Sequence, residues 1–234
     1  MNCFSHAYRF IETDPYFLVG TSIPDWLGMI DRKTRVRRER ALQFIDDADA
    51  ATRELALGIV QHHDDDKWFH ESRAFAETHV AFTRQISQLL VNEASFRPHF
   101  VAHIAMEMLI DAGLTEIDPS RLDQYYRQVQ RVDPQQLEAM VNRIAPQSTT
   151  KLAGFLPHYV REGFLYDYQR NDGVAYRINR MLAAIGIPTL PTEFETWVGA
   201  GRETVRDSLT ALLQPPSDQL QFQLDIPRVS PAKS

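Results

Sequence analysis

Cysteine is almost absent from the chain: Cys3 stands alone among 234 residues, so no intramolecular disulfide can form, which suits a reducing compartment. No stretch approaches the ~18 uninterrupted apolar residues that a membrane-spanning helix needs. The opening Met-Asn-Cys-Phe-Ser-His lacks a basic segment followed by an apolar one, so no secretory signal is expected. A soluble, cytoplasmic protein is the expectation. A basic excess is missing too. The net charge is −6, which gives no global argument for nucleic-acid binding, and none is expected. Alternating runs of β-branched and aromatic residues are nearly absent, which argues against sheet. Internal repeats and low-complexity tracts are not found.

Apolar residues recur instead at three- and four-residue spacing. The pattern predicts helices near 2–12, 48–66, 72–92, 97–113, 119–130, 134–144, 151–168, 172–185 and 193–213. Asp118-Pro119 and Asp133-Pro134 read as helix starts, with Asp as the cap and Pro in the first turn. Asp14-Pro15 and Ile23-Pro24-Asp25 read as breaks. The simplest partition is an all-α, single multi-helix bundle domain over 1–213, with a metal site between helices, and an extended C-terminal tail over 214–234.

Chemistry-bearing residues concentrate in two segments. In Gly58-Ile-Val-Gln-His62-His63-Asp64-Asp65-Asp66-Lys-Trp-Phe-His70, His62, Asp66 and His70 are spaced by four. On a helix each step advances about 40° and ~6 Å along one face. His62 and Asp66 can therefore share an ion, while His70, roughly 12 Å from His62 along the axis, would serve a neighbouring ion or the pocket wall. In His99-Phe-Val-Ala-His103-Ile-Ala-Met-Glu107-Met-Leu-Ile-Asp111 the same spacing lays four polar groups along an otherwise apolar helix. Burying imidazoles and carboxylates without partners costs several kcal/mol each, and a cation removes that penalty. Mixed nitrogen and oxygen donors suit zinc, manganese or iron better than calcium.

Plainer readings stand beside these. Asp64 and Asp65 read as a solvated acidic face, His79 and His158 as isolated surface or core histidines, and His99 as either a ligand or a neighbour of ligands. His6 lies in an apolar opening helix. Asp25 follows a Gly/Pro turn and suits a ligand or a helix cap equally well.

Asn2 and His6, Gly20-x-x-x-Pro24-Asp25, and Gly58-x-x-x-His62-x-x-x-Asp66 together resemble the acyl-carrier-protein phosphodiesterases of the HD-like helical phosphohydrolases. The same skeleton is similar to zinc-dependent phospholipase C, whose His-x-x-x-Glu element His103-Ile-Ala-Met-Glu107 matches. The resemblance covers residues 1 to about 113. It departs from the phosphodiesterases where they carry basic residues and this chain has His63 and Asp64.

The resemblance implies His6, Asp25, His62 and Asp66 as one metal cluster with His103 and Glu107 close by, one or two divalent ions with zinc first, and hydrolysis of a phosphoester by metal-activated water. The implied substrate is a phosphodiester or phosphomonoester, with an acidic carrier protein as a candidate partner. His63 or His70 would protonate the leaving group. The alternative is a non-catalytic helical binding module, metal-stabilised or metal-free. The basic run Arg32-Lys33-Thr34-Arg35-Val36-Arg37-Arg38-Glu39-Arg40 reads as a solvated loop or as a collar attracting phosphate. The tyrosines of the C-terminal half read as core before pocket wall. Arg161, Arg170, Arg177 and Arg180 are further candidates for a phosphate clamp.

Overall fold

The computed structural model describes residues 1–90 and 96–224. Among them every regular element is a helix. In order they are α1 (Cys3–Ala7), α2 (Pro15–Gly20), α3 (Ile23–Ile30), α4 (Arg38–Ala41), α5 (Ala50–Glu71), α6 (Arg73–Leu89), α7 (Pro98–Ile117), α8 (Pro119–Gln130), α9 (Pro134–Ile144), α10 (Leu152–Glu162), α11 (Asn171–Ala183) and α12 (Glu193–Leu212). Short 3-10 turns follow α1, α4 and α10. No helix among the described residues is long and apolar enough to cross a membrane.

The Asp-Pro pairs behave alike. The carboxylates of Asp118 and Asp133 accept the amides of Ser120 and Gln136 and start α8 and α9. Asp14 does the same for Tyr16 at the head of α2. The expected break there is therefore a helix start, because proline costs nothing in a first turn whose amides lack partners anyway. Pro24 repeats the correction: it lies in the first turn of α3, so Asp25 sits on a helix and not on a loop. The expected 48–66 helix runs on to Glu71, carrying His70 with it. The expected 151–168 helix breaks at Gly163, whose φ of 54° lies in the left-handed region that glycine tolerates. The last two positions of the expected 72–92 helix lie outside the described residues, as do residues 225–234 of the expected tail.

α7 is the central rod. Between Val101 and Thr115 only His103, Glu107 and Gly113 are less than fully buried, so its polar stripe is also its exit from the core. α1, α6, α8, α11 and α12 pack around it. Of the tyrosines expected in the core, Tyr125, Tyr126, Tyr159 and Tyr168 are buried, while Tyr166 and Tyr176 are exposed. The hydroxyls of Tyr125 and Tyr159 lie 2.8 Å apart, and Ser22 reaches Tyr125 at 3.2 Å.

α2 and α5 meet without side chains between them. A Cβ on Gly58 would lie 2.1 Å from the carbonyl oxygen of Phe17, and one on Gly20 would lie 2.5 Å from that of Leu55. Only glycine permits this approach, and it fixes the turn after Gly58, which carries His62, against the turn after Gly20, which carries Thr21.

Candidate metal centre

The close crossing of α2 and α5 has an immediate chemical result. Nδ1 of His62 lies 2.8 Å from the carbonyl oxygen of Thr21. A carbonyl only accepts, so Nδ1 carries the proton and Nε2 presents a bare lone pair, as a metal-ligating histidine requires. That Nε2 faces Asp66 Oδ2 at 3.6 Å. Burial, followed by the nearby His6, pushes the His62 pKa well below its ordinary value and keeps the ring neutral.

α1 delivers His6 to the same point. Its ring stacks on that of His62 with centroids 4.0 Å apart, and its Nε2 lies 3.3 Å from Asp66 Oδ1. Both His6 ring nitrogens are buried without a well-formed hydrogen bond. Burial opposes its protonation, but Asp65 and Asp66 outweigh it and hold the ring at about 9. From α3, Asp25 completes the group. Its carboxylate accepts the Cys3 thiol at 3.5 Å, and burial, against the pull of His6, raises its pKa to about 7.

His6, Asp25 and His62 offer donor atoms all within 4.8 Å of one another. The two buried nitrogens of His6, which lie beside carboxylates without a well-formed hydrogen bond, and a second imidazole, His62, locked in its ligand tautomer, are a donor set that fits a divalent ion.

A second group repeats the pattern two turns beyond His62 on α5, completed from α7. His70, His103 and Glu107 also bring donor atoms within 4.8 Å. The His70 and His103 rings stack at 5.2 Å. Nε2 of His103 and of His70 lie 3.0 and 3.6 Å from Glu107 Oε1. Nδ1 of His70 donates to the Asp66 carbonyl at 2.8 Å, so its Nε2 too is free to bind. Each group is thus a stacked pair of imidazoles with a carboxylate.

The amine of Met1 lies between the groups, 2.8 Å from Asp66 Oδ1 and 3.0 Å from Glu107 Oε1. Burial works against its charge, but Glu107 and Asp66 outweigh it and raise its pKa to about 11. The same contacts hold both carboxyls below their usual range against burial, the amine acting first on each, with His6 on Asp66 and His103 on Glu107.

All six expected metal residues therefore lie in or beside these groups: His6, Asp25 and His62 in the first, His103 and Glu107 in the second, and Asp66 between them. The two expected acids differ. His70 belongs to the second donor group. His63 has its Nε2 tied to the Val36 carbonyl at 2.8 Å and lines a cavity of about 360 Å³ beside Asp25, His62 and Asp66.

Asp65 is the residue that sequence reasoning missed. It is fully buried, not a solvated face. It accepts from Gln61 at 2.9 Å and Trp68 at 3.1 Å, pairs with the buried Arg9, and faces His6 Nδ1 at 3.6 Å. A carboxylate on the far nitrogen of a ligand histidine fixes the ring's orientation. Its signal was Trp68, an apolar residue three positions on, which puts Asp65 on the inward face of α5.

Asp111 also departs from the metal stripe. Its carboxylate takes the amides of Phe4 and Ser5, at 3.4 and 2.8 Å, and docks the start of α1. His99 is exposed at the head of α7. Arg170 and Arg177 pair with Asp167, and none of the four C-terminal arginines lines the cavity.

Among the described residues the chain is an all-helical bundle with two candidate metal-binding clusters. Comparison with family models, with curated proteins and with solved structures finds no match in any of the three.

Proposed function

We propose that this chain is a metal-dependent phosphoester hydrolase, a phosphodiesterase or phosphomonoesterase of the HD-like or phospholipase C-like kind. The observation that carries the reading is the cavity of about 360 Å³ that opens directly on Asp25, His62 and Asp66 and has arginines in its wall. A purely structural site closes its coordination shell with protein, whereas a catalytic one keeps a side open to water and substrate. The joint resemblance of the Asn2/His6, Pro24-Asp25, His62/Asp66 and His103/Glu107 elements points the same way.

His6, Asp25 and His62 would hold the first ion with Asp66 beside it. His70, His103 and Glu107 would hold a second. Zinc is the first expectation, with manganese or iron as alternatives. A divalent ion bound there supplies a water activated toward neutral pH and a Lewis acid for the phosphoryl oxygens. The chain itself does the rest. Thr21 and Asp65 fix the two imidazoles, and the carboxylates of Asp25 and Asp66 are positioned to accept a proton from the attacking water. His63, in the cavity wall with its Nε2 proton committed to Val36, keeps Nδ1 to receive or relay one.

The test combines metal analysis with a panel of generic phosphomonoesters and phosphodiesters, assayed with zinc, manganese and iron. Near-stoichiometric metal that is lost in His62→Ala/Asp66→Ala, together with turnover, is the expected result. Protein that comes metal-free from metal-replete medium, or holds metal and hydrolyses nothing in the panel, counts against it.

A further inference from the structure

The basic run after α3 is not the plain solvated loop that its sequence allows. Residues Thr34 and Val36 are buried at 1% and 3% exposure, while Arg35 and Arg37 between and after them are exposed. The alternation is that of an extended segment, which sends every second side chain to the same side. The segment is anchored at both buried positions. Thr34 Oγ1 donates to the Ser148 carbonyl at 3.5 Å, and the Val36 carbonyl accepts His63 Nε2 at 2.8 Å.

Arg32, Arg35 and Arg37 all line the cavity that Asp25, His62 and Asp66 floor. Their neighbour Arg38 is taken by Asp64, at 2.6 Å. Among the described residues no ion pair engages the other three.

Three guanidinium groups without a carboxylate partner line one cavity wall, Arg35 Nε donating only to the Arg32 carbonyl at 3.5 Å. In a chain of net charge −6 their mutual repulsion is relieved by an anion among them. A guanidinium presents a planar fork of donors that matches phosphate oxygens. The floor carries the carboxylates that would bind metal, so the wall and the floor are two different anion-binding elements once an ion is in place. A cavity of about 360 Å³ falls at the small end of ligand pockets, enough for a nucleoside-sized molecule and too small for a folded partner.

We propose that Arg32, Arg35 and Arg37 form a subsite for a second, non-scissile phosphate, so that the ligand of this cavity is a small molecule carrying two phosphate groups. The proposal rests on the hydrolase reading for which phosphate is cleaved, but not for the binding itself.

Isothermal titration of the zinc-loaded full chain with thymidine 3′,5′-bisphosphate and with thymidine 5′-monophosphate tests it. The bisphosphate binds at least ten-fold tighter. In Arg32→Gln/Arg35→Gln/Arg37→Gln the preference falls below two-fold with zinc content unchanged, and in Arg161→Gln/Arg180→Gln, away from the cavity, it persists. Should the triple variant fail to fold, Arg37→Gln and Arg35→Gln taken singly each remove part of the preference.

Equal affinities in the unsubstituted protein, as expected if the arginines serve an acidic protein surface instead, overturn the proposal. So does a preference that survives loss of the arginines. Assaying the 5′-p-nitrophenyl esters of the same two nucleotides separates the two readings. A retained binding preference without turnover sinks the hydrolase alone, and turnover at equal affinity sinks the subsite alone.

Discussion

The imidazole rings of His6 and His62 lie face to face, 4.0 Å between centroids and 29° between planes, although 56 positions separate them in the chain. Two charged imidazoles cannot stack this closely inside a protein. The environment resolves the conflict by pushing their pKa values apart: carboxylates raise His6 against burial, and burial lowers His62. A divalent ion shared between them resolves it another way, by requiring both rings neutral.

Added zinc should therefore stabilise the fold. At about 100-fold excess over the dissociation constant, linkage gives ~2.7 kcal/mol. For a chain of this size that is a rise in Tm of roughly 5–10 °C. His62→Ala should reduce the rise in differential scanning fluorimetry, leaving only what zinc at His70, His103 and Glu107 contributes. Equal shifts in the variant and the parent would place the zinc elsewhere.

Asp65→Asn should weaken zinc binding by about 10- to 100-fold, while Asp64→Asn, which touches only the half-exposed Arg38, leaves it unchanged. The Asp65 change also takes the carboxylate partner from the buried Arg9 guanidinium, which keeps the Leu220 carbonyl, and lowers stability by about 3 kcal/mol. Competition titration with a chromogenic chelator reads the affinity separately from the fold. Unaltered affinity in Asp65→Asn would show that the carboxylate does not orient His6.

Gly58→Ala should destabilise the protein by about 3 kcal/mol or more. The added methyl would sit 2.1 Å from the Phe17 carbonyl, and backbone cannot move aside as a side chain can. Parting α2 from α5 also breaks the His62–Thr21 hydrogen bond, so residual folded protein should bind zinc more weakly. Gly28→Ala, where nothing lies within 4 Å, serves as the control in urea denaturation.

Burial raises the carboxyl of Asp111 from 3.8 to about 7, against the hydrogen bonds from Ser5 and Phe4. The sign follows from linkage. Folded protein binds this proton more tightly than unfolded protein, so the contribution of Asp111 is complete below about pH 4 and is lost as pH rises through 7. Asp111→Asn cannot titrate. The Tm of the variant relative to the parent should therefore climb between pH 4 and pH 8. A constant difference across that range would refute the raised carboxyl.

The helical class was legible because a 3.6-residue period survives in a linear string. The heads of α8 and α9 were legible because an Asp-Pro cap is local chemistry. Two candidate pairs were legible for the same reason: residues four apart on a helix share a face whatever surrounds them, as His62 with Asp66 and His103 with Glu107 do. His6 and Asp25 were weaker candidates in the sequence, an imidazole in an apolar helix and a carboxylate after a Gly/Pro turn, and only the resemblance joined them to the others.

Tertiary structure decided the remainder. Asp65 looked, with Asp64, like part of a solvated acidic face, and only the packing of Arg9 and Trp68 against it makes it a buried anchor. Asp111 continued the polar stripe of α7 by spacing, yet the arrival of α1 gives its oxygens to two backbone amides. His70 joined the second group because α5 runs past its expected end. The arginines after α3 read as a solvated loop or as a collar attracting phosphate, and the inward turn of Thr34 and Val36 sets their neighbours along a cavity. Sequence fixes what lies within a helical turn. Which distant groups share a low-dielectric space, and hence which charges must pair, is set by how the helices pack.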